Sequence, residues 1–137
     1  MIRCIMNFKI YITGDKLEKF FVEAIKEYEK RLSRYCKIEL LYFKNKEQLS
    51  KKLLDKSYKI LLSVKGENIS SVGLASKISS LGLSGISDIA IIIGTDLPHD
   101  EALALSPMEM DLGLQTTIIF EQIYRSYRII NNEAYHK

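Results

Sequence analysis

The residues best suited to chemistry lie in the segment 121–137. Arg125 and Arg128 are spaced to project from one side of a helix, where their guanidinium groups could bind phosphates. Nearby tyrosines could stack on nucleic-acid bases, and His136 is one of only two histidines in the chain. Each feature also has a plain structural explanation: a solvated helix face, tyrosines packed with their hydroxyls at the rim, and a loose terminus. The segment 121–137 is therefore either part of a site or a frayed end.

Two glycines suggest a second functional region. Gly66 and Gly94 each follow a predicted strand, where the missing Cβ would let a ligand approach the backbone, although a tight turn explains them equally well. In open α/β sheets, ligands bind beyond the carboxyl ends of the strands. That rule selects three places: Leu62–Glu67, Gly94–Asp96 and Leu105–Asp111.

Several well-known chemistries lack their motifs here. The sequence has no G-x-G-x-x-G after its first predicted strand, no G-x-x-x-x-G-K-[ST] and no G-x-S-x-G. The two histidines do not have metal-ligand spacing, and Cys4 and Cys36 suggest reduced thiols in a cytoplasmic protein. No apolar run approaches the roughly 20 residues of a membrane helix. We expect residues 1–5 to be disordered or to precede the true start.

Hydrophobic periodicity predicts strands and helices in alternation. The predicted strands are Asn7–Thr13, Cys36–Phe43, Tyr58–Val64 and Ile86–Ile93. The first predicted helix is Leu17–Leu32, with a capping box of Asp15 and Glu18, and the second is Lys46–Lys56. A third helix runs from Ser70 or Ser71 to Leu81 and is ended by Gly82 and Gly85. A last helix leads into the segment 121–137. This order predicts a single α/β domain over 1–137, a three-layer sandwich with a mainly parallel sheet.

The formal net charge of +3 hides an uneven distribution. Residues 1–60 carry fifteen Lys and Arg against eight Asp and Glu, whereas residues 61–137 carry five against nine. The basic half could be the electrostatic footprint of a nucleic-acid partner. Lysines on solvated helix faces would give the same count, and both interpretations stay open.

Two sequence blocks resemble a known family. They are 24–39 (AIKEYEKRLSRYCKIE) and 121–137 (EQIYRSYRIINNEAYHK), and the likeness extends over nearly the whole chain from Met6. The family is RlmH, the bacterial large-subunit ribosomal RNA pseudouridine N3-methyltransferases of the SPOUT superfamily. The resemblance implies a C-terminal trefoil knot, a homodimer, S-adenosylmethionine as methyl donor, and methylation of N3 of a pseudouridine in 23S ribosomal RNA. It implies no metal and no membrane.

The resemblance also implies roles for individual residues. His136 would be the general base and Tyr135 would position the target base, while Arg125, Arg128 and Lys137 would bind RNA. The tail of one subunit could lie near the cofactor of the other. Backbone groups of three loops would hold the cofactor, and these loops contain Leu62, Gly94, Leu105, Ser106, Pro107, Met108, Glu109 and Met110.

The chain departs from the family pattern in the cofactor loops. Ser63 stands where members usually have Asp, Thr95-Asp96 replaces Gly-Ser, and Glu109 and Asp111 make the last loop acidic. Two alternatives therefore remain beside the enzyme: a ribosome- or RNA-binding protein of the same fold with impaired cofactor binding, and a SPOUT methyltransferase acting on another RNA, such as tRNA.

Overall fold

A five-stranded sheet forms the centre of the protein. The structure is a computed structural model, and it describes residues 5–136. The strands are β1 (Asn7–Thr13), β2 (Lys37–Phe43), β3 (Tyr58–Asn68), β4 (Asp88–Ile93) and β5 (Glu101–Ala104). Their order is β2-β1-β4-β3-β5, and every pair of neighbours is parallel. All carboxyl ends therefore meet at one edge of the sheet, which we call the carboxyl edge.

Four helices cover the two faces of this sheet. They are α1 (Lys19–Leu32), α2 (Lys46–Lys52), α3 (Ser71–Leu83) and α4 (Leu112–Ile130). On one face α4 packs between α1 and α3, while α2 packs on β1 and β2. Successive residues of β1 serve different faces: Ile10 and Ile12 join the large core under α1, α3 and α4, whereas Tyr11 joins the smaller core under α2. The predicted three-layer α/β sandwich with a parallel sheet is confirmed.

The principal differences from the predicted elements involve β3 and β5. β3 continues to Asn68 rather than stopping at Val64, and β5 (Glu101–Ala104) was not predicted. Gly66 lies inside β3, where a Cβ would come within 2.7 Å of backbone atoms of Ala102 and Leu103 in β5. The backbone that approaches Gly66 is thus a neighbouring strand, not a ligand.

Helix ends also differ from the predictions. The capping box of Asp15 and Glu18 is wrong: α1 begins at Lys19, and its N-cap Glu18 makes no side-chain capping bond. α2 ends at Lys52 instead of Lys56, because Leu53 adopts an extended conformation. Ser70 does cap α3, accepting from the Gly73 amide at 3.0 Å. That helix runs through Gly82 to Leu83, and Gly85 follows it with a φ of 86°.

Some predictions concern residues that the structure does not describe. Residues 1–4, most of the segment expected to be disordered, lie outside the described residues, as does Lys137. Ile5 is exposed and Met6 is buried against the large core. The trefoil knot and the assignment of 1–137 to one domain remain predictions.

Candidate active site

A cavity opens at the carboxyl edge of the sheet. Its volume is about 420 Å³, and it is bounded by the middle of β3, where the pairing with β4 stops at Leu61, by the loop after β4 and by the loop before α4. These are the three places that the strand-end rule selected. The lining residues are Leu61, Leu62, Ser63, Val64, Lys65, Gly94, Thr95, Asp96, Glu109, Met110 and Gln115.

Gly94 fixes the loop after β4 against the end of β1. Its φ is 93°, a conformation that L side chains rarely adopt, and a Cβ there would lie closer than 3.0 Å to the carbonyl oxygen of Thr13. The Thr13 hydroxyl in turn donates to the Gly94 carbonyl at 3.3 Å. The two central strands are thus joined directly beside the cavity. The close approach at Gly94 is to the backbone of β1, and Gly94 also lines the cavity.

The loop before α4 brings two of its predicted cofactor residues to the cavity. Glu109 and Met110 line it, and the Met110 carbonyl accepts from Gln115 Nε2 at 2.8 Å. Asp111 then caps α4 by accepting from the Gly113 amide at 3.1 Å. These bonds hold the end of the loop against the first turn of the helix.

The other predicted residues of this loop do not line the cavity. Leu105 packs against the large core, and Ser106 Oγ accepts from the Met108 amide at 3.0 Å, which makes a turn. Pro107 is exposed, as is Met108, whose relative exposure is 72%. Of the eight predicted cofactor residues, the structure gathers Leu62, Gly94, Glu109 and Met110 around the cavity.

Gln115 and Leu61 are the two lining residues outside the three predicted segments, and Leu61 directly precedes one of them. The segments Leu62–Glu67 and Gly94–Asp96 already included Ser63, Val64, Lys65, Thr95 and Asp96. Gln115 lies inside α4, beyond the ends that the strand rule considers. Its position was still detectable in principle, because a glutamine in the first turn of a helix lies near the loop that precedes it.

The segment after α4 is tied to that helix by charged side chains. The Glu121 carboxylate accepts from the Tyr135 hydroxyl at 2.9 Å and pairs with Arg125 at 3.0 Å. Arg128 donates to the Ala134 carbonyl at 3.0 Å and lies 3.6 Å from Glu133. Both predicted RNA-binding arginines are therefore engaged within the chain.

Aromatic contacts hold Tyr135 in the same cluster. Its ring meets Tyr124 edge-on at 5.0 Å, and the Arg125 guanidinium lies 4.8 Å from its centroid. Burial, together with the hydrogen bond to Glu121, raises the pKa of Tyr135. The phenol is thus neutral at physiological pH and acts as a donor, so Tyr135 is suited to positioning rather than to proton abstraction.

His136 is exposed and contacts the same arginine. Its Nδ1 lies 3.1 Å from Arg125 Nη1. A guanidinium can only donate, so Nδ1 must accept and the ring proton must be on Nε2. In this arrangement the imidazole has no free basic nitrogen. A role as general base requires Arg125 to leave Nδ1.

The tail and the cavity are separate within one protomer. Among residues 5–136, the cavity lining contains neither Tyr135 nor His136. Gln115, which lines the cavity, and Glu121, which binds Tyr135, are six residues apart on α4, which corresponds to about 9 Å of helix rise. The structure therefore places four of the predicted cofactor residues at one position and the predicted tail residues Tyr135 and His136 at another.

The described residues contain neither a cluster of metal ligands nor a membrane-spanning helix. Between residues 5 and 136, no group of three His, Cys, Asp or Glu side chains could hold a metal ion. Nor does any helix in that range combine the length and apolarity that crossing a membrane requires.

A parallel α/β sandwich with a cavity at its carboxyl edge, formed by backbone loops, fits the class of α/β methyltransferases. The family comparison makes this specific: residues 6–136 match the family described as "Predicted SPOUT methyltransferase", and the chain belongs to that family. It is thus an enzyme of the methyltransferase class and requires a methyl donor.

Relatives with assigned names are similar over nearly their whole length. "Ribosomal RNA large subunit methyltransferase H 1" of Thermoanaerobacter sp. (strain X514) is 53% identical over 133 residues, covering 96% of this chain and 100% of the relative. "Putative ribosomal RNA large subunit methyltransferase H" of Methanococcus maripaludis (strain C5 / ATCC BAA-1333) is 37% identical, and "Ribosomal RNA large subunit methyltransferase H" of Ruminiclostridium cellulolyticum (strain ATCC 35319 / DSM 5812 / JCM 6584 / H10) is 36% identical, each with the same coverage.

Proposed function

We propose that this protein transfers a methyl group from S-adenosylmethionine to N3 of a pseudouridine in 23S ribosomal RNA. The observation that carries the proposal is the cavity at the carboxyl edge, where Leu62 of β3 meets Gly94 and Met110 of two separate loops. The names of the relatives support ribosomal RNA as the substrate.

The cavity suits the cofactor in size and in chemistry. Its volume of about 420 Å³ lies in the range of roughly 300–1,000 Å³ that small-molecule sites occupy. Leu62 and Met110 offer apolar surface for an adenine ring. Lys65 could pair with a carboxylate, and Asp96 and Glu109 could pair with an ammonium group or accept from ribose hydroxyls.

The cofactor supplies an electrophilic methyl group, so the protein needs to hold the acceptor in line and remove its proton. Positioning reacting atoms about 3–3.5 Å apart can supply much of the rate. The loops around Gly94 and Met110 are pinned by the contacts to Thr13 and Gln115, which makes them suitable for fixing a ligand. Tyr135, a neutral hydrogen-bond donor, would position the target base.

Proton removal is assigned to His136. A correctly placed base contributes roughly 10²–10⁴-fold to a rate. Because Arg125 holds Nδ1 in the free protein, the base forms only when that guanidinium moves to another acceptor. An RNA phosphate is such an acceptor, since it binds arginine in a bidentate manner. Arg125 would then contact RNA as it frees His136.

The separation of tail and cavity supports a homodimer with shared sites. The Tyr135 and His136 side chains are held along α4, away from the cavity of their own protomer. We infer that the tail of one protomer completes the cavity of its partner. When a tail variant is mixed with a cavity variant, half of the randomly formed dimers are heterodimers, and each heterodimer has one intact site of two. The mixture should therefore regain up to one quarter of the activity of the wild-type protein. A monomeric active enzyme would refute this arrangement.

Two measurements test the proposed function. Calorimetry should show that the protein binds S-adenosylmethionine. When the purified protein and this cofactor are added to ribosomes from a strain lacking the gene, nucleoside mass spectrometry should detect one newly methylated pseudouridine in 23S ribosomal RNA. Absence of binding at millimolar cofactor would favour a binding protein of the same fold. Methylation confined to tRNA would favour the retargeted enzyme.

The chain offers a matched control for the base. His136→Ala should lower turnover on ribosomes by at least about 10²-fold, the low end for general-base catalysis, while cofactor affinity stays within a few-fold. The other histidine, His99, is also exposed, and its Nδ1 lies 2.7 Å from the Leu97 carbonyl. His99→Ala should leave turnover unchanged. Equal effects of the two substitutions would remove the catalytic role of His136.

A further inference from the structure

In the described part of the tail, residues 121–136, both arginines are already paired with carboxylates. Arg125 pairs with Glu121, and Arg128 lies within 3.6 Å of Glu133. Each guanidinium faces a carboxylate, so the pairs present little net charge to an approaching polyanion. Initial RNA binding therefore calls for another basic surface.

Such a surface lies on and beside α2. We define the α2 basic face as Lys44, Lys46, Lys51 and Lys52, all of which are exposed. Within residues 5–136 none of these lysines forms an ion pair, and the same holds for the exposed Lys26, Lys30 and Lys37. The α2 lysines differ from these in lying next to the cavity. Glu47 is the single acidic residue in α2.

The α2 basic face adjoins the cavity through one loop. Lys46 and Lys51 line a groove together with Glu47, Ser50 and Leu97, so two positive charges face one negative charge there. Leu97 is buried and lies three positions after Gly94. Lys44 follows directly after the end of β2, so it lies at the carboxyl edge with the cavity. The same short loop therefore lines the cavity at Gly94 and meets α2 at Leu97.

We propose that the α2 basic face binds RNA phosphates and holds the substrate strand beside the cavity. This rests on the proposed function. The acids Asp96 and Glu109 at the cavity repel phosphates, while unpaired lysines next to them attract phosphates, so the backbone is held on the α2 side. Lysine acts as a point charge without base preference, so this face positions RNA and does not read its sequence.

Charge-removing variants test the proposal. The α2 variant combines Lys44→Gln, Lys46→Gln and Lys51→Gln. The matched control combines Lys26→Gln, Lys30→Gln and Lys37→Gln. It removes the same charge from exposed positions in the second half of α1 and at the start of β2. Binding is measured as a function of salt, on assembled large subunits and on deproteinised 23S ribosomal RNA. Circular dichroism and thermal unfolding establish that both variants are folded.

The α2 variant should bind both targets about ten-fold more weakly, and its log–log salt slope should be smaller by about 2, because each lost phosphate contact removes roughly 0.7–0.9. Calorimetry should show unchanged cofactor affinity, and arginine at the three positions should restore RNA binding. Equal losses in the α2 and control variants, or no loss in either, would overturn the proposal.

Two other outcomes separate it from neighbouring hypotheses. If the α2 variant loses affinity only for assembled subunits and binds bare RNA normally, the face meets an acidic protein, and the proposal for RNA is wrong. If the wild-type protein binds RNA but does not methylate it, the proposed function fails while the binding comparison still decides the role of the α2 basic face.

Discussion

Replacing Gly94 by alanine should destabilise the protein and weaken cofactor binding through one contact. A Cβ at this position would overlap the Thr13 carbonyl oxygen, and φ is 93°. The left-handed conformation costs an L residue about 1–2 kcal/mol. Forcing the overlap with the Thr13 backbone adds about 1–3 kcal/mol. The expected total is thus about 2–5 kcal/mol.

Gly85 provides a control for the conformational part of this cost. Its φ is 86°, but a Cβ there would meet nothing within 4 Å. Gly85→Ala should therefore lose only about 1–2 kcal/mol. Both substitutions change the unfolded chain in the same way, so the difference between them reports the overlap with Thr13.

Thermal unfolding and calorimetry together measure the effect. At about 3–5 °C per kcal/mol for a chain of this size, Gly94→Ala should lower Tm by about 6–25 °C, and Gly85→Ala by no more than about 10 °C. Only Gly94→Ala should also weaken S-adenosylmethionine binding, and Gly94→Val should abolish it. If Gly94→Ala and Gly85→Ala had the same Tm and the same affinity for S-adenosylmethionine, the predicted effect of the contact with Thr13 on stability and on cofactor binding would be wrong.

Two further substitutions test the tail and the core. Glu121→Gln should lower the free energy of unfolding by about 1.5–3 kcal/mol, because it weakens charged hydrogen bonds in the pair with Arg125, whose side chains are only 17% and 26% exposed. The control Glu27→Gln changes the pair with Arg31, whose side chains are 51% and 42% exposed, and should leave Tm nearly unchanged. Equal shifts in Tm for the two variants would contradict this prediction. Burial raises the pKa of Cys36 to about 12. The thiol of the unfolded chain loses its proton from about pH 9 while the folded thiol keeps it, so the free energy of unfolding falls as pH rises from 9 towards 12. Cys36→Val should make the decrease of this free energy with pH shallower by about 1 kcal/mol per pH unit. An unchanged slope would refute the prediction.

The sequence predicted the elements whose periodicity is strong. The strand β4 is a nearly uniform apolar run, and β1 contains the apolar run Ile10–Ile12, which is typical of strands covered on both faces. β5 (Glu101–Ala104) was missed because its four residues, Glu-Ala-Leu-Ala, contain no β-branched or aromatic side chain. It is a strand because β3 offers it a parallel edge, which is a tertiary effect that no local pattern carries.

The candidate site was predictable to a different degree at each place. The strand-end rule located the cavity because it depends only on strand direction, which alternation of strands and helices reveals. It could not show that Leu105 would face the core while Met110 faces the cavity, since turns within a loop decide that. The engagement of Arg125 with His136 was also hidden, because helix spacing says nothing about a tail that folds back.

The order of strands in the sheet has a consequence for synthesis on the ribosome. β1 lies between β2 and β4, and its register pairs Asn7 with Asp88, which is 81 residues later. At roughly 5–20 residues per second, β4 emerges about 4–16 s after β1. During that interval β1, whose Ile10, Tyr11 and Ile12 are fully buried in the finished protein, can pair only with β2. The nascent chain therefore presents an open apolar strand edge, which makes the interval before β4 is synthesised the period when protection from aggregation matters most.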